Sequence, residues 1–277
     1  MSRSQRWRQI RKSERTWGAP ALPLAGGLIG GALLALTASA LDAGAPLAAL
    51  WAGLFGFVAV ALPLAAVQHA AENAVRQLRA FINIRPFTGD RLLAHDPWAM
   101  DALLAEQILS LIDEGREAVV ELGSGHSTVL IAGRLEARGR GRVVAVDHLA
   151  GYADRTRRWL ADAGLEGRAV VVHAPLADRE VDGRTLSWYR AEALDAALPA
   201  RIDLLVVDGP PALPGPDARW PAVPLLQARL APGAAILMDD GDRPTERRAA
   251  FDWHRRLGGR MRYLPGGKGR WLLRLPT

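Results

Sequence analysis

From Ala118 to the last residues, one pattern repeats: a short run of Val, Ile, Leu and Ala, then a longer amphipathic stretch. The runs predict strands at Val119–Leu122, Val143–Asp147, Ala169–His173, Ile202–Asp208 and Ala234–Asp239. Between and after them, helices are expected over 127–137, 152–163, 190–198, 219–230 and 244–257. Gly164 and Gly258 are placed to close two of these helices. Strands that are apolar throughout and alternate with helices imply a parallel sheet covered on both faces, a Rossmann-like α/β fold. The end differs: Arg260–Leu264 and Arg270–Leu275 flank Pro265–Gly269, which reads as an antiparallel hairpin. No internal repeat interrupts this order.

The N-terminal part obeys another rule. No charged residue occurs from Leu22 to Leu41, and none from Ala43 to Val67. As helices, at about 1.5 Å per residue, both would cross a hydrocarbon layer of roughly 30 Å. Gly26, Gly27, Gly30 and Gly31 would let two such helices approach closely. The expectation is a transmembrane hairpin turning at Asp42–Pro46.

Charge gives its orientation. The net charge is +6, and five of those charges lie in the first twenty residues, where six basic side chains meet only Glu14. Arg76, Arg79 and Arg85 follow the second span. Both ends are therefore expected on the cytoplasmic side of the plasma membrane, as a multi-pass protein. The body is near neutral, which argues against a nucleic-acid partner. A signal peptide cleaved near Ala38-Ser39-Ala40 is the rival reading, and it leaves the large domain cytoplasmic too. The absence of cysteine excludes thiolate metal sites and a cysteine nucleophile.

The expected division is a basic tail at 1–18, two membrane helices at 19–67, amphipathic helices and a linker at 68–117, and the α/β domain at 118–277. Within the third part, Ala71, Ala74, Val75, Leu78, Phe81 and Ile82 form a helical stripe. Asp96 and Pro97 look like the start of a helix with Met100, Leu103, Leu104, Ile108, Leu111 and Ile112 on one face.

In an open α/β sheet, ligands sit beyond the carboxyl ends of the strands. The first strand leads into Glu121-Leu122-Gly123-Ser124-Gly125-His126-Ser127-Thr128, and the second ends at Asp147-His148. Gly123 and Gly125 let the backbone turn and lie against a ligand. Asp147 is placed to accept from two ribose hydroxyls. A dinucleotide fingerprint wants a third glycine where Ser127-Thr128 stands, and Glu121 would repel a diphosphate. A nucleoside with an amino group and no phosphate fits better, and S-adenosylmethionine is the common one.

At these residues the sequence resembles class I S-adenosylmethionine-dependent methyltransferases. Glu121–Gly125 is similar to their first motif, and Val144–His148 to the acidic end of their second strand. Val207-Asp208-Gly209-Pro210-Pro211 and Met238-Asp239-Asp240 resemble the branch called methyltransferase domain 24. The resemblance covers about residues 95–277 and implies a seven-stranded sheet, mostly parallel, with the last strand antiparallel. It implies that Glu121, Gly123, Ser124, Gly125, Asp147 and His148 hold the cofactor, with Ser127 and Thr128 near its methionine carboxylate.

Asp208 ends the fourth predicted strand and Asp239-Asp240 the fifth. On neighbouring strands, about 4.8 Å apart, these carboxylates can share a hard cation such as Mg²⁺. Such an ion would hold an acceptor hydroxyl and lower its pKa. Asp208 is the expected catalytic residue. Sugar O-methyltransferases of the branch have a further acid where this chain has Pro210, which leaves the base open, with His254 and Lys268 as candidates. Trp188, Tyr189, Arg219 and Trp220 are candidates for lining the acceptor pocket.

The expected activity is O-methylation of a glycan, a lipid-linked compound or a small hydroxyl acceptor beside the lipid bilayer. A non-catalytic methyltransferase-like scaffold is the alternative class. A nicotinamide-dependent oxidoreductase fits less well, because Ser127 stands in the fingerprint.

Overall fold

The structure is a computed structural model that describes residues 45–88, 100–211, 215 and 217–277. It divides into two compact units, Met1–Ala71 and Glu72–Thr277. The basic tail, the first expected span at Leu22–Leu41 with its glycines, Asp42 and the Asp96-Pro97 pair lie outside the described residues.

Helix α1 runs from Ala45 to Thr88. Its Gly56–Asn83 part is the one stretch among the described residues that is long and apolar enough to cross a membrane. Phe57, Val60, Leu64 and Val67 stay exposed. In the second unit the same helix carries polar groups that meet the α/β domain. Asn73 Oδ1 accepts from the Gly267 amide at 2.9 Å, and Gln77 Oε1 from the Ala102 amide at 3.2 Å. Ala80 is buried beside them.

Helix α2 spans Ala102–Asp113. Its N-cap is Asp101, not Asp96: Asp101 Oδ1 accepts from the Leu104 amide at 2.7 Å and also pairs with the buried Arg270 at 2.9 Å. That double use explains the start. A cap satisfies an orphan amide, and a buried guanidinium needs a carboxylate.

The domain then follows the expected alternation: β1 (Ala118–Leu122), α3 (His126–Ala137), β2 (Arg142–Asp147), α4 (Ala150–Asp162) and β3 (Ala169–His173). It continues with α5 (Ala191–Ala197), β6 (Ile202–Val207), α6 (Ala222–Leu226), β7 (Leu230–Met238), α7 (Pro244–Leu257), β8 (Arg260–Leu264) and β9 (Arg270–Arg274). The seven-stranded sheet has the order β3-β2-β1-β6-β7-β9-β8. The last strand, β9, inserts antiparallel between β7 and β8, and the pairs from β3 to β7 are parallel. This is the expected Rossmann-like architecture.

Alternation along each strand covers both faces. Val119, Val143, Leu204, Val206 and Leu237 pack with the stripe Leu104, Ile108, Leu111 and Ile112 of α2 and with Leu130, Ile131 and Leu135 of α3. Val120, Val144, Leu205, Val207, Ile236 and Met238 face the other way, against Trp188, Trp220 and Trp253. Each such Val, Leu or Ile contributes about 1.5–3 kcal/mol by leaving water.

Two elements depart from expectation. Between β3 and α5 a hairpin stands apart from the main sheet, β4 (Leu176–Val181) with β5 (Arg184–Tyr189). Its two-residue turn is Asp182-Gly183, both at positive φ, a turn that matches strand twist. The expected helix at 219–230 shrinks to α6 and one 3₁₀ turn, Gln227–Arg229. Pro221 and Pro224 remove donors from it.

Candidate functional site

Strand register aligns one row of chemistry. Leu122 is level with Val146 on β2 and Val207 on β6, and Val207 is level with Met238 on β7. The next residue on each strand is Gly123, Asp147, Asp208 and Asp239. All four therefore stand side by side on the carboxyl edge of the sheet.

The β1–β2 half is tied by neutral donors. Gly123 has φ +110°, a region costly for a side chain, and its amide donates to Val146 O at 2.8 Å. The Thr128 hydroxyl donates to Glu121 Oε2 at 2.6 Å and accepts the Gly125 amide at 3.1 Å. The Thr128 hydroxyl, expected near a methionine carboxylate, is thus engaged on the buried acid, and Ser127 favours that acid's ionised form. The Thr128 bonds anchor the loop to the strand below it. Burial pushes the Glu121 pKa up to about 7, although Ser127 and Thr128 oppose the shift.

Asp147 is nearly buried. One oxygen accepts from Ser124 Oγ at 2.8 Å and the other from the Leu149 amide at 2.9 Å. A carboxylate accepts about four hydrogen bonds, so lone pairs remain for ribose hydroxyls. His148 Nδ1 lies 3.6 Å from Asp147, and burial lowers its pKa and favours the neutral ring. Open space faces the Cβ position of Gly125.

The β6–β7 half is tied by charge. Asp208, Asp239 and Asp240 offer carboxylate oxygens within 4.8 Å of one another. Arg219, just before α6, reaches into them and is only 4% exposed. Its Nη2 donates to Asp208 O at 2.7 Å, Asp208 Oδ1 at 3.2 Å and Asp240 Oδ2 at 2.7 Å. Its Nη1 donates to Asp239 O at 2.9 Å. Arg243 and Lys268 approach Asp240 at 3.0 and 3.8 Å. Burial disfavours ionised Asp240, but these three cations outweigh it and hold its pKa low. Burial raises Asp239, with the charges of Asp208 and Asp240 adding to the effect, and one of its oxygens, Oδ1, is buried without a partner. Asp208 keeps a third of its side chain exposed.

This donor set does not fit Mg²⁺. The ion demands near-octahedral oxygens at about 2.0–2.1 Å. Asp208 Oδ1 and Asp240 Oδ2 are already turned onto a fixed, buried cation.

Tyr189 joins the two halves. It ends β5, is fully buried, and its hydroxyl has no partner. A Cβ on Gly209 would lie 2.7 Å from that hydroxyl and 3.2 Å from the Gly123 amide nitrogen. Burial raises its pKa, and the charges of Asp147, Asp208 and Glu121 push the same way. The phenol therefore faces acids from both halves. Buried polar atoms without partners, next to a glycine loop with open space, suit a polar nucleoside ligand such as S-adenosylmethionine. From the sequence, Tyr189 and Arg219 are expected only as pocket-lining residues. The Asp182-Gly183 pair between two apolar-containing runs was the available sign of the hairpin that delivers Tyr189.

A cleft of about 410 Å³ opens on the opposite edge of the sheet and is lined by Glu114, Arg116, Arg201 and Asp203 among others. Its charges pair with one another, Arg116 with Glu114 at 2.6 Å and Arg201 with Asp203 at 3.2 Å.

Residues 120–241 match a family described as Methyltransferase domain, the methyltransferase domain 24 branch. Solved structures were found that resemble the chain. A methyltransferase of Podospora anserina with SAH bound is 15% identical, covers 72% of this chain and 88% of its own, and has a TM-score of 0.50. TomG of Streptomyces achromogenes, an O-methyltransferase involved in tomaymycin synthesis and solved with SAM, is 20% identical over 72% of this chain and 90% of its own, at a TM-score of 0.47. An O-methyltransferase of Bacillus cereus with SAH is 18% identical over 72% and 90%, at 0.45. No curated protein matches the chain.

Proposed function

The chain being an S-adenosylmethionine-dependent methyltransferase, we propose that it methylates a hydroxyl oxygen of a small, glycan or lipid-linked acceptor. We place this reaction at the cytoplasmic face of the plasma membrane. The observation that carries the reading is the row Gly123, Asp147, Asp208, Asp239, which sets a nucleoside cradle beside carboxylates able to take a proton.

When bound, S-adenosylmethionine supplies an electrophilic methyl group on a sulfonium. Asp147 would hold its ribose hydroxyls, and the Gly123–Gly125 backbone would lie against it. Glu121 keeps that loop in shape through Thr128. Asp208, partly exposed at the seam of the two halves, takes the proton of the acceptor hydroxyl. The acceptor oxygen would then form its bond to the methyl carbon as the carbon–sulfur bond breaks, leaving the electron pair on sulfur. Holding donor and acceptor in line supplies a large share of the acceleration.

The membrane placement is supported by α1. An exposed apolar surface of that length needs a partner, and lipid suits a helix that carries no charge as far as Val67 and is followed by Arg76, Arg79 and Arg85. A tether of this kind favours an acceptor that is itself held at the membrane.

The test uses the full chain in lipid nanodiscs. Calorimetry should show S-adenosylmethionine binding that weakens strongly in Asp147→Asn. Incubation with membrane extract and deuteromethyl-labelled cofactor should then move label into a lipid, glycan or small-molecule fraction at oxygen. Binding without label in any hydroxyl compound would sink the O-methylation reading. Partition of the chain into the aqueous phase without nanodiscs would sink the membrane reading.

A further inference from the structure

We infer that Arg219 is a built-in cation that takes the place of a divalent metal ion in the acid cluster, so that this site is complete without one. The inference deepens the methyl-transfer reading of the same site, and its principal readout, metal binding, needs neither cofactor nor acceptor.

Three carboxylates converging at strand ends repel one another in a low-dielectric interior and need positive charge between them. A metal is one source, and a guanidinium is another. Arg219 supplies a planar fork, with several donors in fixed directions. Its four hydrogen bonds reach all three acidic residues, two through main-chain oxygens and two through carboxylates. The main-chain bonds matter most here. A guanidinium held only by carboxylates can swing aside when a metal arrives. One held to the carbonyls of Asp208 and Asp239 is fixed to the ends of β6 and β7 themselves.

The segment carrying Arg219 is pinned as well. The next residue, Trp220, donates from its indole to Asp252 at 2.7 Å, and Trp253 donates to Trp220 O at 2.9 Å. Both partners lie on α7, so the guanidinium stands on a supported base. The charges agree. Arg219, Arg243 and Lys268 already face the acids, Glu246 stands beside Arg219 and Arg243, and burial pushes Asp239 toward its neutral form. A divalent ion would add positive charge to a cluster that is already compensated.

Mn²⁺ is the probe, since binding silences its free paramagnetic resonance signal. The full chain in nanodiscs should bind no stoichiometric Mn²⁺ at submillimolar concentration, and cofactor affinity should be indifferent to chelator. Arg219→Met removes the internal cation, so a Mn²⁺ site should appear with affinity about tenfold or more above the wild type. That site should vanish again when Asp239→Asn and Asp240→Asn are added. Arg219→Lys keeps a charge there and should remain silent.

Stoichiometric Mn²⁺ binding by the wild type, lost in the double Asn variant, would overturn the inference. So would a folded Arg219→Met chain that binds no Mn²⁺. If Arg219→Met fails to fold, as judged by near-ultraviolet circular dichroism, the wild type and Arg219→Lys decide the matter.

Discussion

The two halves of the crevice share one sheet edge but are held by different physics. On β1 and β2 the acids are single. Glu121 accepts from the Thr128 hydroxyl, and Asp147 from a hydroxyl and an amide. On β6 and β7 the acids come as a trio, and charges from Arg219, Arg243 and Lys268 hold two of them, Asp208 and Asp240. Neutral donors come from the chain just beyond each strand, within a few residues. The cations come from three separate elements. The β1–β2 half is therefore a local construction, and the β6–β7 half a tertiary one. The first should survive damage to the second.

The largest break of that comparison is Arg219→Met. Stripping one partner from a buried ionic group costs about 3–5 kcal/mol. Urea unfolding should show a loss of that size, while S-adenosylmethionine affinity in the folded fraction stays within a few-fold. Cofactor affinity that collapses together with stability would mean the halves are one unit.

Next comes Glu121, which tests the neutral half by pH. Its pKa is 4.5 in the unfolded chain and about 7 in the folded one. Between those values the folded state holds a proton that the unfolded state has released. Stability therefore falls as pH rises through this window, by about 3 kcal/mol over its full width. Glu121→Gln still accepts from Thr128 but has no such proton. Its unfolding free energy, compared at about pH 5 and about pH 8 with that of the wild type, should lack this share of the decline. An identical slope in both proteins would show that Glu121 is not the group responsible.

The same contrast explains what was legible in the sequence. Five parallel strands, the antiparallel end and the glycine loop could be read because each is signalled within a dozen residues. Glu121, Gly123 and Asp147 fall on the strand ends as read. Ser127 and Thr128 are expected from the sequence beside a ligand, but the turn of Thr128 inward onto Glu121 was not legible, since it depends on how deeply that acid is buried. Asp208, Asp239 and Asp240 were legible as a cluster. Their cation was not, because Arg219 lies in a stretch read as a regular helix, and the prolines that break that helix release it toward the acids. The β4–β5 hairpin was missed because Asp182-Gly183 lies in a polar run without a strong alternating pattern. The start of α2 was misplaced because Asp101 gains its value as a cap from a distant partner, Arg270.

Gly209 sits where the halves touch, and Gly209→Ala should cost less than either change above. Its new methyl would meet the Tyr189 hydroxyl at 2.7 Å and the Gly123 amide nitrogen at 3.2 Å. Overpacking of this sort costs about 1–3 kcal/mol. Adding Tyr189→Phe to Gly209→Ala should recover part of the loss, measured by urea unfolding. No recovery would place the strain at Gly123 alone.

Tyr189→Phe by itself is the finest probe, because the hydroxyl it removes has no partner in the free protein. A buried hydroxyl that is left unpaired costs about 1–3 kcal/mol, so its removal should leave stability unchanged or raise it by about 1 kcal/mol. Binding should move the opposite way. If a polar atom of the cofactor completes the hydroxyl, calorimetry should show S-adenosylmethionine affinity reduced by about tenfold, equal to about 1.4 kcal/mol. A structural tyrosine would lose stability and keep its affinity; a ligand-facing one keeps its stability and loses affinity. The pair of measurements therefore decides whether the hairpin beside the sheet belongs to the cofactor half of the crevice, and unchanged affinity would assign Tyr189 to packing.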